Sequence, residues 1–137
     1  MRRRDLLLSL PMAVLVLAPS LRAGDGEDVR AVIGSQIEAF GAEDLESAYG
    51  FASPMIQRMF PTPEIFGRMV REGYPMIWRP DGVRYLELRE EDGRLLQRME
   101  FSDGDGRNHL FDYEMVEGPD GWRINGVYPV PEPGLAA

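Results

Sequence analysis

Between Asp28 and Phe40 the apolar residues Val29, Val32, Ile33, Ile37 and Phe40 recur at helical spacing, with Gln36 on the same face. Arg30, Ser35 and Glu38 fall on the opposite face. That period predicts an amphipathic helix, and Gly41 supplies its stop. A second, shorter helix is predicted from an Asp44 N-cap, with Leu45, Ala48, Tyr49 and Ala52 on one face. Ser53-Pro54 and Thr62-Pro63 are two matched helix starts. Each puts a hydroxyl at the N-cap and proline at the first helical position, where a missing N–H costs nothing. The first opens a short turn over Met55–Phe60; the second opens a helix over Glu64–Glu72, which Gly73 ends.

After Tyr74-Pro75 the pattern turns from helical period to alternation. Met76–Trp78 is predicted as a short strand closed by Pro80-Asp81-Gly82. Val83–Glu90, Arg94–Phe101, Asn108–Val116 and Trp122–Val127 are predicted as four strands. The turns between them are Asp92-Gly93, Ser102–Arg107 and Gly118–Gly121. Helices followed by an antiparallel meander define an α+β fold. The expectation is N-terminal helices packed on a curved four-stranded sheet, a cone-shaped roll. The domain is expected over residues 24–130, with 131–137 as a proline-rich frayed tail.

Turn lengths set the register, and register decides which side chains share a face. A two-residue loop at Asp92-Gly93 pairs Leu88 with Gln97 and Leu86 with Met99. Phe101 opposite His109 then brings Met99 to Phe111 and Gln97 to Tyr113. A four-residue loop at Gly118–Gly121 pairs Met115 with Ile124 and Tyr113 with Gly126. One face is then greasy, and Glu87, Arg98 and Asp112 form an ionic row on the other, joined by Arg89, Glu114 and Asn125. On this register the Asp112 and Glu114 carboxylates point away from any pocket, toward solvent, and Arg98 holds Asp112 ionised. The polar groups left on the greasy face are Gln97, Tyr113 and, at the strand end, His109. These three are the candidate ligand-binding residues, with Gly126 leaving space opposite Tyr113. The competing reading is that Gln97 and Tyr113 satisfy each other or nearby backbone, and that His109 is a half-exposed strand-end residue.

Composition narrows the chemistry. The chain has 137 residues, no cysteine, no lysine and one histidine. Disulfides, thiolate chemistry and His-rich metal sites are excluded. Asp103-Gly104-Asp105-Gly106 lacks the terminal bidentate Glu of a calcium loop, and no Gly-rich phosphate loop is present. No metal and no cofactor is expected. From Gly24 onward there are 11 Arg and 22 acidic residues, leaving a charge of about −11. Such a chain repels phosphate backbones and anionic headgroups, so neither nucleic acid nor a membrane surface is expected as a partner.

Residues 1–23 read as a secretory signal: Arg2-Arg3-Arg4, then 13 apolar residues from Leu6 to Ala18 interrupted by Pro11. That run is too short for a bilayer, which needs about 20 residues. Cleavage is expected after Ala23, with Ser20 as a second position; the rival is an anchor that stays attached. Arg3-Arg4-Asp5-Leu6-Leu7 also resembles a twin-arginine signal. The expected location is periplasmic or secreted.

The stretch Ala52–Pro80 (ASPMIQRMFPTPEIFGRMVREGYPMIWRP) and Asp120–Val127 (DGWRINGV) resemble an uncharacterised bacterial family of exported proteins, domain of unknown function 4864. The resemblance carries no activity, ligand or catalytic residue. It implies a fold similar to the nuclear-transport-factor-2-like, cystatin-like roll. Within that roll the enzymes place carboxylates, or an acid and a tyrosine, inside the cone; here only Tyr113 faces inward. The expected function is therefore a non-catalytic module binding a small apolar ligand or an envelope protein. The alternative is a small isomerase or hydrolase using Tyr113. The run Tyr74, Met76, Ile77, Trp78 is either core or an exposed edge that could pair two copies as a homodimer.

Overall fold

The computed structural model describes residues 21–131. The predicted leader lies outside them as far as residue 20, as does the tail beyond residue 131. Five helices come first: α1 (Asp25–Gly41), α2 (Leu45–Gly50), α3 (Pro54–Met59), α4 (Pro63–Gly73) and α5 (Pro75–Trp78). Four strands follow: β1 (Gly82–Glu91), β2 (Arg94–Ser102), β3 (Asn108–Gly118) and β4 (Gly121–Pro129). They form one antiparallel sheet in the order β1-β2-β3-β4, with the helices on one face. This is the expected α+β architecture.

The helix starts are chemically determined. Asp44 accepts from the Ser47 N–H, Ser53 from Ile56 and Thr62 from Ile65. Each satisfies an amide that the helix itself leaves unpaired. Ser53 does more, because its hydroxyl also donates to Asn125 Oδ1 on β4 at 2.6 Å. Beside it, Ser53 N–H reaches Ile124 O and Ile124 N–H reaches Phe51 O, both at 2.8 Å. The 51–53 segment thus covers part of the open β4 edge. Ser53→Ala is expected to lower unfolding stability by about 1 kcal/mol, through the lost cap and the orphaned Asn125. Urea unfolding checks this: the midpoint falls and the slope stays constant.

Residues 76–78, expected as a strand, are helical. Ile77 and Trp78 N–H both bond Tyr74 O at 2.9 Å, with Pro75 at the first helical position. An apolar run this short has no readable period, and the proline start outweighs it. Ile77 and Trp78 are buried, Trp78 packing its ring 5.5 Å from that of Phe40. The segment belongs to the core rather than to an exposed edge.

The hairpin at Asp92-Gly93 has both residues at positive φ, 52° and 77°, as a two-residue loop demands. It pairs Leu88 with Gln97 as expected. Gln97 with Tyr113, Met99 with Phe111, Phe101 with His109 and Met115 with Ile124 also hold. Two pairings do not. A register shift between Tyr85 and Leu88 sets Tyr85, not Leu86, opposite Met99. A second shift, at Asn125, sets Val127 opposite Tyr113 and moves Gly126 to Glu114 on the outer face. An extra residue in one strand reverses the facing of everything beyond it, and turn lengths carry no sign of it. Gln97 marks the first bulge: its Nε2 donates to Leu86 O and Glu87 O, at 3.0 and 3.4 Å.

The outer face is drier than expected at its centre. Asp112 is 8% exposed and Leu96 beside it 3%. Arg98 donates to Asp112 through Nε and Nη2, both at 3.0 Å. Arg89 adds a second fork at 3.2 and 2.9 Å. Glu87 falls in the bulge, and Arg89 takes the neighbouring place in the row.

Candidate functional site

The helices do not close completely over the sheet. α3 buries none of its residues fully, because a single turn capped by Ser53 is held by its ends. Between α3, α4 and the inner side of β4 lies a cavity of about 290 Å³. Phe40, Phe66, Val70 and Ile77 form its deep wall, and Ile124 and Val127 its sheet side. Met55, Met59 and Tyr128 stand at the mouth, Met59 being 61% exposed. Thioethers at an entrance adapt readily to different shapes. A second hollow of about 310 Å³, beside Asp28, Val32 and Trp122, is walled in part by the exposed Asp28, Ala31 and Asp120, and is a surface dent.

Of the three residues expected to bind a ligand, Tyr113 lines this cavity and Gln97 and His109 do not. Tyr113 is 0% exposed, and its hydroxyl has no hydrogen-bond partner. Burial, then the neighbouring Tyr85 and Tyr74 phenols, push its pKa upward. The group is therefore a protonated donor at every physiological pH. The Gln97 Oε1 is likewise buried and unpaired, while its amide nitrogen serves the β1 bulge. His109 sits at the start of β3 with Nε2 2.7 Å from Asp103 Oδ2. That hydrogen bond, followed by one from the Arg107 N–H, holds the Asp103 carboxyl below its ordinary pKa.

Four polar residues of the lining, Gln36, Tyr74, Asn125 and Tyr128, were not among those expected to bind a ligand. Gln36, grouped with the apolar face of α1, lines the cavity and donates through Nε2 to Ala48 O at 3.1 Å. Its Oε1 receives no hydrogen bond from the described residues. A lone amide on a helix stripe otherwise apolar was the available signal. Asn125 and Tyr128 line the mouth. The Tyr128 ring folds back over Gly126, where a Cβ would strike its hydroxyl. Its OH donates to Glu114 Oε1 at 3.0 Å, and Asn125 Nδ2 to Glu114 Oε2 at 3.3 Å. Arg94 Nη1 lies 3.5 Å from the same carboxylate, with its guanidinium 6.0 Å from the centre of the Tyr128 ring. The bulge turns Tyr128 to the outer face, where Glu114 and Asn125 were expected to meet.

No Asp, Glu, Arg or His lines the cavity. Among the described residues no cluster of three His, Asp or Glu is placed to hold a metal ion, and no helix is long and apolar enough to cross a membrane. Fold and site together define an α+β domain with an apolar cavity between helices and sheet. Residues 22–137 match the family described as Domain of unknown function (DUF4864), and the chain belongs to that family. No curated protein and no solved structure matches it.

Proposed function

We propose that the protein is a non-catalytic binding module that takes up a small apolar molecule in the cavity between α3, α4 and β4. The observation that carries this reading is the cavity itself: about 290 Å³, walled by Phe40, Phe66, Val70, Ile77, Ile124 and Val127, with no charged residue in its lining. Convergence of apolar walls on a few polar groups is the usual form of a small-molecule site. Acid–base chemistry by Tyr113 would need a partner base in the same cavity, and the lining residues provide none.

Likeness of the helix-then-meander order to the nuclear-transport-factor-2-like, cystatin-like roll supports the same reading, since that fold encloses a pocket between helices and sheet. The arginine-led apolar run at the N-terminus supports export to an envelope or extracellular compartment. Arg22 forks onto Glu117 at 2.9 and 3.0 Å. A cut after Ser20 leaves that pair in place, and one after Ala23 removes it.

Methyl NMR during titration with toluene tests the binding. Resonances of Ile56, Val70, Ile77, Ile124 and Val127 are expected to move, while those of Ile37 and Val83, apolar but outside the cavity, stay still. No movement at millimolar toluene, or movement elsewhere only, overturns the proposal.

A further inference from the structure

We infer that export processing cuts the Ser20–Leu21 bond, so that the mature protein keeps Leu21, Arg22 and Ala23 and uses them in its fold. The inference rests on the export reading above and adds the bond that is cut. Three observations favour this bond over the one after Ala23.

The first is local chemistry. A leader is removed where small residues stand at the last and third-last positions before the cut. Ala18-Pro19-Ser20 meets both requirements. Leu21-Arg22-Ala23 puts a leucine where the third-last position needs a small side chain. The reaction is a hydrolysis. Water adds across the Ser20–Leu21 amide, leaving a carboxylate on Ser20 and an ammonium group on Leu21.

The second is what the fold does with residues 22 and 23. Asp25 N–H donates to Arg22 O at 3.0 Å, closing a turn over Arg22–Asp25. Gly24 occupies its third position with a φ of 92°, which side chains other than glycine's rarely adopt. The Ala23–Gly24 amide is therefore the central bond of a folded turn. Arg22 N–H donates in return to the Asp25 carboxylate, and Asp25 is only 7% exposed. The Arg22 guanidinium reaches further: Nη2 lies 2.9 and 3.0 Å from the two Glu117 oxygens near the end of β3. Turn and fork together tie the start of α1 to the β3–β4 hairpin. A cut after Ala23 removes the acceptor that closes the turn and the amide that serves a buried carboxylate. The loss of the exposed fork adds little to this.

The third is the extent of the family's domain. The match begins at Arg22, so the shared domain includes two residues that a cut after Ala23 would discard.

The test is expression of the full chain in a bacterium with a periplasm, followed by intact-mass measurement and N-terminal sequencing of the exported protein. The expected start is Leu-Arg-Ala-Gly. Ser20→Leu, which puts a large side chain before the cut, is expected to abolish that start, and Ala23→Leu to leave it unchanged. A mature chain beginning at Gly24, or processing blocked by Ala23→Leu and not by Ser20→Leu, overturns the inference although export stands. An uncut chain found in the envelope overturns the cut itself, whereas a chain confined to the cytoplasm overturns the export reading. Purified chains beginning at Leu21 and at Gly24 are then unfolded in urea. The Gly24 chain is expected to show the lower midpoint; equal midpoints overturn the place of residues 21–23 in the fold.

Discussion

Asp112→Ala is expected to destabilise the fold by about 3 kcal/mol, the largest effect of any single change on the outer sheet face. The carboxylate accepts four hydrogen bonds from Arg89 and Arg98, all between 2.9 and 3.2 Å. Removing it leaves two half-buried guanidinium groups facing each other with no anion between them. Their mutual repulsion and lost solvation add to the lost bonds. The same group gives a pH signature. Burial pushes the Asp112 pKa up, but the two arginines outweigh it and hold the carboxyl at about 2. The unfolded value is about 3.9. The folded state therefore binds fewer protons across that interval, so stability is complete above about pH 4 and is lost as pH falls toward 2. The loss assignable to this group is about 2 kcal/mol. Urea unfolding from pH 5 to pH 2 checks both statements. Asp112→Asn should remove this portion of the acid-limb loss; an unchanged acid limb, or an alanine cost below about 1 kcal/mol, would contradict the paired geometry.

Tyr113→Phe is expected to raise the stability of the empty protein by about 1–2 kcal/mol. Truncating a buried residue ordinarily destabilises. Here the atom removed has no partner and no solvent, so the substitution relieves a desolvated dipole and leaves the ring and its packing on Phe101 in place. Thermal and urea unfolding of the two proteins without ligand give the sign. A loss of more than about 1 kcal/mol would show that the hydroxyl has a partner after all.

Much of the architecture could be read from local chemistry. The Asp44, Ser53 and Thr62 caps each act on the amide three residues on. The Asp92-Gly93 loop delivers Leu88 to Gln97, and the central β2–β3 pairs follow. What escaped is what local chemistry does not encode. A bulge leaves no mark on an alternating pattern, and the second of the two moved Gly126 outward and set Val127 against Tyr113. The first took Glu87 out of the ionic row; the pairing of Asp112 with Arg98 was foreseen, but not the second fork from Arg89 or the burial. The helix at 75–78 was hidden because three apolar residues suit either period. At the site, Tyr113 was legible through its inward register. Gln36, Asn125 and Tyr128 were not, since their meeting depends on how α1 and α3 lie against the bulged edge of β4. His109 is drawn to Asp103 by a turn whose hydrogen bonds to Asp105 and Arg107 shape it locally.

A crystal structure of the protein soaked with toluene is the most direct measurement. The expected result is an ordered ring among Phe66, Val70 and Ile77. An empty cavity at millimolar toluene, or toluene bound only elsewhere on the protein, would contradict it.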